Sequence, residues 1–185
     1  MQRLPPNQRL ITDFPILHFG KMPEFDRKTW DLRVEGLVED PIKMTYDELI
    51  SLKKTESISD FHCVTGWSRF DNKWEGVLFR DIADLVKPES SAHFVTIECD
   101  GGYTTSLPLS DLMEPDVLLA YAFNGEPLES AHGGPLRLIV PKKYAYKCAK
   151  WVRQVVFTEE QELGFWEQRG YSNTADPWKE ERYSY

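Results

Sequence analysis

The chain has 185 residues, a formal net charge of −8 and 41% hydrophobic residues, which suits one globular unit able to bury most of its apolar surface. Six tryptophans, eight tyrosines, ten phenylalanines and 12 prolines point to a loop-rich α+β or β-rich body and away from a helical bundle. The acidic balance argues against nucleic-acid binding, and no window approaches about 18 uninterrupted apolar residues, so no membrane span is expected.

The N-terminal stretch MQRLPPNQRLITDFPILHFGKMPEF has neither a basic start running into a long apolar segment nor a twin-arginine pair, so a cytoplasmic location is expected. Residues 1–29 read as an arm. WDLRVEGLVED alternates Leu32, Val34 and Val38 with polar neighbours, a strand pattern ending at Asp40-Pro41. Thr45 stands three residues before Glu48, the spacing of a capping box, and predicts a short helix. The stretch DFHCVTGWSRFDNKWEG, residues 60–76, follows a short strand. LFRDIADLVKP places Leu78, Ile82, Leu85 and Val86 at helical spacing, with Pro88 at its end.

HFVTIECDGGYTTSLPL reads as a hairpin turning at Asp100-Gly101-Gly102, and VLLAYAFNGEPL as a buried strand entering an Asn124-Gly125 turn. PLRLIVP and VRQVVFTEE are further strands, which gives about seven strands and two or three short helices. After Thr158 the chain becomes acidic and aromatic. Residues 159–185 read as a tail packed on a single domain of residues 1–185 and anchored by Trp166, Tyr171 and Trp178.

Three cysteines, Cys63, Cys99 and Cys148, are an odd number without paired metal-finger spacing, so neither a disulfide framework nor a structural zinc site is indicated. A thiolate is a soft metal ligand and needs a nearby donor or cation. His62 and Arg69 can supply that for Cys63, and Gly66 lets the backbone approach a bulky ligand. On this stretch alone a packed core cysteine and a metal ligand both stay open. The second constellation is the segment of residues 130–158, which has no Asp or Glu but carries Arg137, Lys142, Lys143, Lys147, Lys150 and Arg153. It reads either as a site for a phosphorylated ligand or as a solvated basic face. No phosphate-binding glycine loop and no nucleophile elbow are present. A Cys-His hydrolase using Cys63 with His132 or His93 is conceivable, although nothing fixes their geometry. Tyr103, after the Asp-Gly-Gly turn, is a hairpin aromatic or a hydroxyl donor in a cleft.

SLPLSDLMEPDVLLAYAFNGEPLESAHGGPLRLIVP resembles the molybdenum-cofactor domain of the sulfite oxidase family, with its buried Leu-Ala-Tyr strand, Asn-Gly turn and His-Gly-x-Pro-hydrophobic-Arg run. The resemblance extends from about Trp30 to Trp178. It implies a mixed, β-rich α+β molybdopterin-binding domain with short helices and long loops, and Mo-molybdopterin as cofactor. It places Cys63 at the protein thiolate ligand to molybdenum and Tyr103 at the active-site tyrosine. His132 and Arg137 fall on cofactor contacts. AYKCAKW, residues 145–151, resembles the run that holds the pterin phosphate, which implicates Lys147, Cys148, Ala149 and Lys150. His18, Phe19 and Gly20 fall where relatives begin to grip the pterin, and Cys99 is a further candidate.

Sulfite oxidases follow the cysteine with x-Gly-Asn-Arg-Arg, whereas here Val64-Thr65-Gly66-Trp67-Ser68-Arg69 leaves Arg69 as the one catalytic arginine candidate and points away from sulfite. Trp67 resembles the methionine-sulfoxide-reducing relatives. The implied activity is two-electron, oxygen-atom-transfer chemistry on a small-molecule substrate with a separate electron carrier. The alternatives are a sulfoxide or N-oxide reductase of the same fold, and a non-catalytic cofactor carrier.

Overall fold

The computed structural model describes residues 3–184. Strand β1 (Arg9–Leu10) belongs to the N-terminal arm, and β2 (Asp31–Gly36) buries Leu32 and Val34 while Arg33 and Glu35 face outward. The expected run to Asp40-Pro41 stops at Gly36. Val38 makes only an isolated bridge to Pro88, and the chain returns as β3 (Ile42–Thr45), antiparallel to β2. Thr45 then caps helix α1 (Tyr46–Ser51): the Glu48 N–H donates to Thr45 Oγ1 at 3.3 Å, and the Thr45 N–H donates to Glu48 Oε2 at 2.7 Å. Both halves of the expected capping box are formed.

A long hairpin follows, β4 (Thr55–Cys63) and β5 (Trp67–Leu78), where the sequence suggested only a short strand. Polar residues hide β5. Asp71, at φ 56°, sits opposite the register shift between Ser59 and Phe61, and the buried Asn72 amide donates to Ser59 O at 3.0 Å and Arg69 O at 2.8 Å. A bulge closed by a buried amide removes the plain alternation that marks a strand.

Helix α2 (Phe79–Val86) buries Phe79, Ile82, Ala83 and Val86. Leu85, expected on the same face, is 46% exposed. The helix closes at Lys87 in the left-handed conformation, one residue before Pro88. Strands β6 (Phe94–Cys99) and β7 (Thr104–Pro108) form the expected hairpin, and α3 (Leu109–Leu112) is a single turn. Strand β8 (Leu118–Phe123) turns at Asn124-Gly125 into β9 (Glu126–Pro127), and β10 (Arg137–Ile139) and β11 (Val152–Thr158) follow.

Two sheets result. In one, the order is β1-β5-β8-β10, with β4 on the other edge of β5 and β9 beside β8; in the other it is β3-β2-β11-β6-β7. One apolar cluster draws Leu118 and Leu119 from the first sheet and Val34, Ile97, Val155 and Phe157 from the second. The architecture is mixed, sheet-rich α+β. Because β10 and β11 lie in different sheets, residues 140–151 must cross between them, and this crossing builds the site. No helix among the described residues is long and apolar enough to cross a membrane.

Candidate active site

The turn from β4 to β5 is Val64-Thr65-Gly66, with Cys63 paired to Trp67 across it. Gly66 closes the turn at φ 100°, a conformation that favours glycine, and its N–H donates to Cys63 O at 3.0 Å. Cys63 is only 6% exposed, yet it lines a cavity of about 370 Å³. Its Sγ lies 3.1 Å from Thr65 Oγ1. His62 is outside the lining: its Nδ1 is 2.8 Å from Ser68 Oγ, its ring meets Trp178 edge-on, and burial pulls its pKa down to about 4. It is neutral near pH 7 and brings no cation to the thiol. Arg69, expected beside the substrate, also misses the cavity. Its Nε donates to Thr12 O at 3.0 Å, its NH1 donates to Asn72 Oδ1, and its guanidinium lies over Phe14 and Phe123. The arginine braces the N-terminal arm.

That arm forms one wall of the cavity through Phe14, Pro15, Leu17, His18 and Phe19; Phe61 and Trp67 extend the wall beside Cys63. Trp166 and Tyr171 close it from the tail. These two were expected only as anchors, because nothing in an irregular acidic segment says which way its aromatics face. Phe14 carries no sequence signal for a site, but it stacks on the His132 ring at 4.5 Å and touches Phe61, Trp67 and Trp74 edge-on. Gly20, proposed with His18 and Phe19, is exposed and not part of the lining.

Part of the lining is basic. Arg137 is 4% exposed and lines the cavity; its NH1 donates to His132 O at 2.7 Å, its Nε has no hydrogen-bond partner among the described residues, and its guanidinium lies 4.9 Å from the Phe61 ring centroid. Lys150 also lines the cavity and donates to Ala131 O at 2.7 Å. Gly133, at φ 112°, fits between them: a Cβ there would stand 3.0 Å from Lys150 Cγ and 3.1 Å from Arg137 Cδ. Burial holds Arg137 down to about 10, and burial with Arg137 as neighbour holds Lys150 down to about 7. The His132 pKa is lowered by burial and then by the same two cations, and its Nδ1 is buried without a partner. Its ring lies behind Phe14 and is not part of the lining. Trp151, next to Lys150, takes φ 59°, uncommon for a bulky residue, and is held by Nε1–H donation to Ser130 O at 2.8 Å.

Lys147, expected at the phosphate, is elsewhere. It is fully buried and outside the lining, and its Nζ donates to Ser106 O at 2.8 Å and to the Glu167 carboxylate. Glu167 comes from the tail, an unforeseen partner, and also accepts from Thr105 Oγ1 at 2.6 Å. Ala149 and Cys148 line the cavity, but Cys148 Sγ accepts the Val140 N–H at 3.3 Å and burial raises its pKa. Cys99 is buried off the lining, and its pKa is likewise pushed up by burial. Tyr103 lines the cavity, yet its hydroxyl donates to Tyr146 O and burial raises its pKa well above the usual value.

These residues fit a molybdopterin. Among the described residues no three His, Cys, Asp or Glu side chains gather as a metal cage, so a metal on Cys63 must bring its remaining ligands with it, as a pterin dithiolene does. The buried Arg137 and half-buried Lys150, each donating to a carbonyl oxygen, with Arg137 Nε orphaned among the described residues, suit an anionic group.

The profile of the oxidoreductase molybdopterin binding domain matches residues 19–166. The chain is 45% identical over 184 residues to YuiH of Bacillus subtilis (strain 168), an uncharacterized oxidoreductase, covering 99% of this chain and 93% of that protein. It is 31% identical to the putative protein-methionine-sulfoxide reductase subunit YedZ1 of Azospira oryzae, over 90% of this chain and 64% of that protein. It is 29% identical to the protein-methionine-sulfoxide reductase catalytic subunit MsrP of Campylobacter jejuni, over 77% of this chain and 54% of that protein. The chain thus spans less than two thirds of both sulfoxide-reductase relatives. The sulfane dehydrogenase SoxCD from Paracoccus pantotrophus shares the fold, with a TM-score of 0.71 at 23% identity over 77% of this chain and 41% of that chain.

Proposed function

We propose that this chain, which belongs to the oxidoreductase molybdopterin binding domain family, is an oxidoreductase that removes the oxygen of a neutral sulfoxide. Membership makes it a molybdopterin enzyme. The cofactor, when bound, supplies a two-electron couple at molybdenum that takes up or releases an oxygen atom. The overall change balances as sulfoxide plus two electrons and two protons giving sulfide and water, with a separate electron carrier as the donor.

The observation that carries the substrate class is the wall beside Cys63; the direction follows the sulfoxide-reductase names of the relatives. Phe61, Trp67, Phe14, Leu17, Trp166 and Tyr171 are apolar or aromatic, and Arg69 is committed to Thr12 O and Asn72. Arg137, whose guanidinium lies over Phe61 and Phe14, is the cation assigned to the cofactor's anionic group, and the otherwise apolar wall suits a neutral thioether oxide better than sulfite. The names of the Azospira and Campylobacter relatives agree with it.

The chain's own residues have distinct tasks. Cys63 is the thiolate ligand, with Thr65 Oγ1 beside it. Arg137 and Lys150, supported by His132, hold the phosphate, and the backbone strain at Trp151 is stored where the ligand sits. His18, Phe19, Cys148 and Ala149 supply contact surface, and the aromatic walls exclude water. A cytoplasmic location is also proposed, supported by three buried, unpaired cysteines.

The test is turnover of protein made in a host that synthesises the cofactor. Oxidation of a reduced dye that depends on methionine sulfoxide or dimethyl sulfoxide is expected, and Cys63→Ser abolishes it. Dye reduction driven by sulfite, with no sulfoxide-dependent oxidation, reverses the assignment.

A further inference from the structure

The turn that carries Cys63 is held from outside by segments distant in sequence. Cys63 O accepts Gln8 Nε2 at 3.2 Å, Gly66 O accepts the Arg9 N–H at 3.0 Å, and Val64 O accepts Arg182 NH1. Three of the four carbonyls from Cys63 to Gly66 therefore take donors that the turn does not supply. Arg182 is the one charged side chain among these donors. Its side chain is 18% exposed, its guanidinium lies 5.0 Å from the Tyr144 ring centroid, and its nearest carboxylate, Glu180, is 3.7 Å away. Glu180 in turn accepts Asn7 Nδ2 at 2.7 Å, which ties the two outside segments to each other over the turn.

From this geometry we infer that Arg182 is a positioning residue for the Cys63 sulfur. Val64 O belongs to the Val64–Thr65 peptide unit. Its orientation sets where Thr65 stands, and Thr65 Oγ1 is 3.1 Å from Cys63 Sγ. A charge-assisted hydrogen bond on that carbonyl fixes the peptide plane, and with it the hydroxyl and the direction in which Sγ meets the cavity. The basic residues of the anion end hold a ligand directly, whereas Arg182 acts on the ligand atom through backbone. The inference rests on Cys63 being the thiolate that binds the metal.

The experiment uses the full chain as Arg182→Gln, Arg182→Lys and Cys63→Ser, each with and without cofactor. In cofactor-free protein, alkylation by iodoacetamide is followed by mass spectrometry at each cysteine. Arg182→Gln is expected to raise the Cys63 rate about tenfold, the local release of one charge-assisted hydrogen bond. Cys99 and Cys148 keep their rates, and Arg182→Lys recovers part of the difference. In loaded protein, the sulfur-to-metal charge-transfer band shifts in Arg182→Gln and kcat falls while KM holds.

An unchanged Cys63 rate with an unchanged band overturns the inference. So does a parallel rise at all three cysteines, which marks general loosening. Should Arg182→Gln fail to fold, Arg182→Lys decides by the same readouts. Failure of the underlying reading looks different: Cys63→Ser would keep both its molybdenum and the charge-transfer band, whatever Arg182 does to alkylation.

Discussion

Two parts of one basic segment meet opposite fates. Lys147 is fully buried on a carboxylate, Glu167, with Ser106 O and Thr105 completing the contact. Arg137, buried, and Lys150, half-buried, within ten and three residues of it in sequence, donate to carbonyl oxygens alone, with Arg137 Nε unpaired among the described residues. The difference lies in what the tail delivers: Glu167 reaches Lys147, and no acidic side chain among the described residues pairs with the other two. A buried cation with an internal counter-charge completes the fold, whereas a buried arginine and a half-buried lysine without one leave a place for an anion from outside.

The largest effect expected from this contrast is on stability. Lys147→Met leaves the Glu167 carboxylate buried and unpaired, and loses about 3–5 kcal/mol. The pair Lys147→Met with Glu167→Gln recovers much of that loss, as denaturant melts of the single and double variants will measure. Arg137→Met should behave in the opposite way. Without cofactor its stability stays within about 1 kcal/mol of wild type, because a desolvated charge without a counter-ion is removed; loaded protein, however, loses most of its molybdenum and pterin. A large stability loss for Arg137→Met with full occupancy would erase the distinction between the two ends.

The sequence was most legible where a local rule acts by itself. The Thr45 capping box, the α2 helix and the Asp-Gly-Gly and Asn-Gly turns depend on neighbours three or four residues away. Strand β5 was hidden because its buried Asn72 is paid for by tertiary hydrogen bonds, which composition does not show. In the cavity, Cys63, Arg137 and Lys150, which residue type alone left open and the family resemblance named, all line the wall. Lys147, named by the same resemblance, does not, and this was not readable because its fate depends on Glu167, which is 20 residues on in an irregular tail. The same holds for Phe14, Trp166 and Tyr171: which aromatics face the cavity is decided by packing between segments that carry no periodicity.

A smaller effect should appear in the pH dependence of the cofactor-free protein. Lys150 is lowered to about 7 in the fold from an ordinary value near 10.5. Between those two pH values the unfolded chain holds more protons, so stability rises with pH across this window. An anion beside Lys150 raises its folded pKa again and flattens the slope. Thermal melts between pH 7 and 9, with and without pyrophosphate, should show a slope that pyrophosphate reduces and that Lys150→Leu lacks. An identical slope in Lys150→Leu would place the effect on another group.

The smallest expected effect is at Tyr103, which resemblance assigned to catalysis. Its hydroxyl already donates to the carbonyl of Tyr146, so its proton is committed to holding the crossing segment against the wall. Tyr103→Phe removes one buried donor and is expected to cost about 1 kcal/mol of stability, with kcat for sulfoxide reduction within about threefold of wild type. A fall in kcat of a hundredfold or more at unchanged stability would mean that the hydroxyl leaves Tyr146 during turnover and serves the substrate. The apolar wall would then face a polar catalytic group, and that proton would help to set which substrates the cavity accepts.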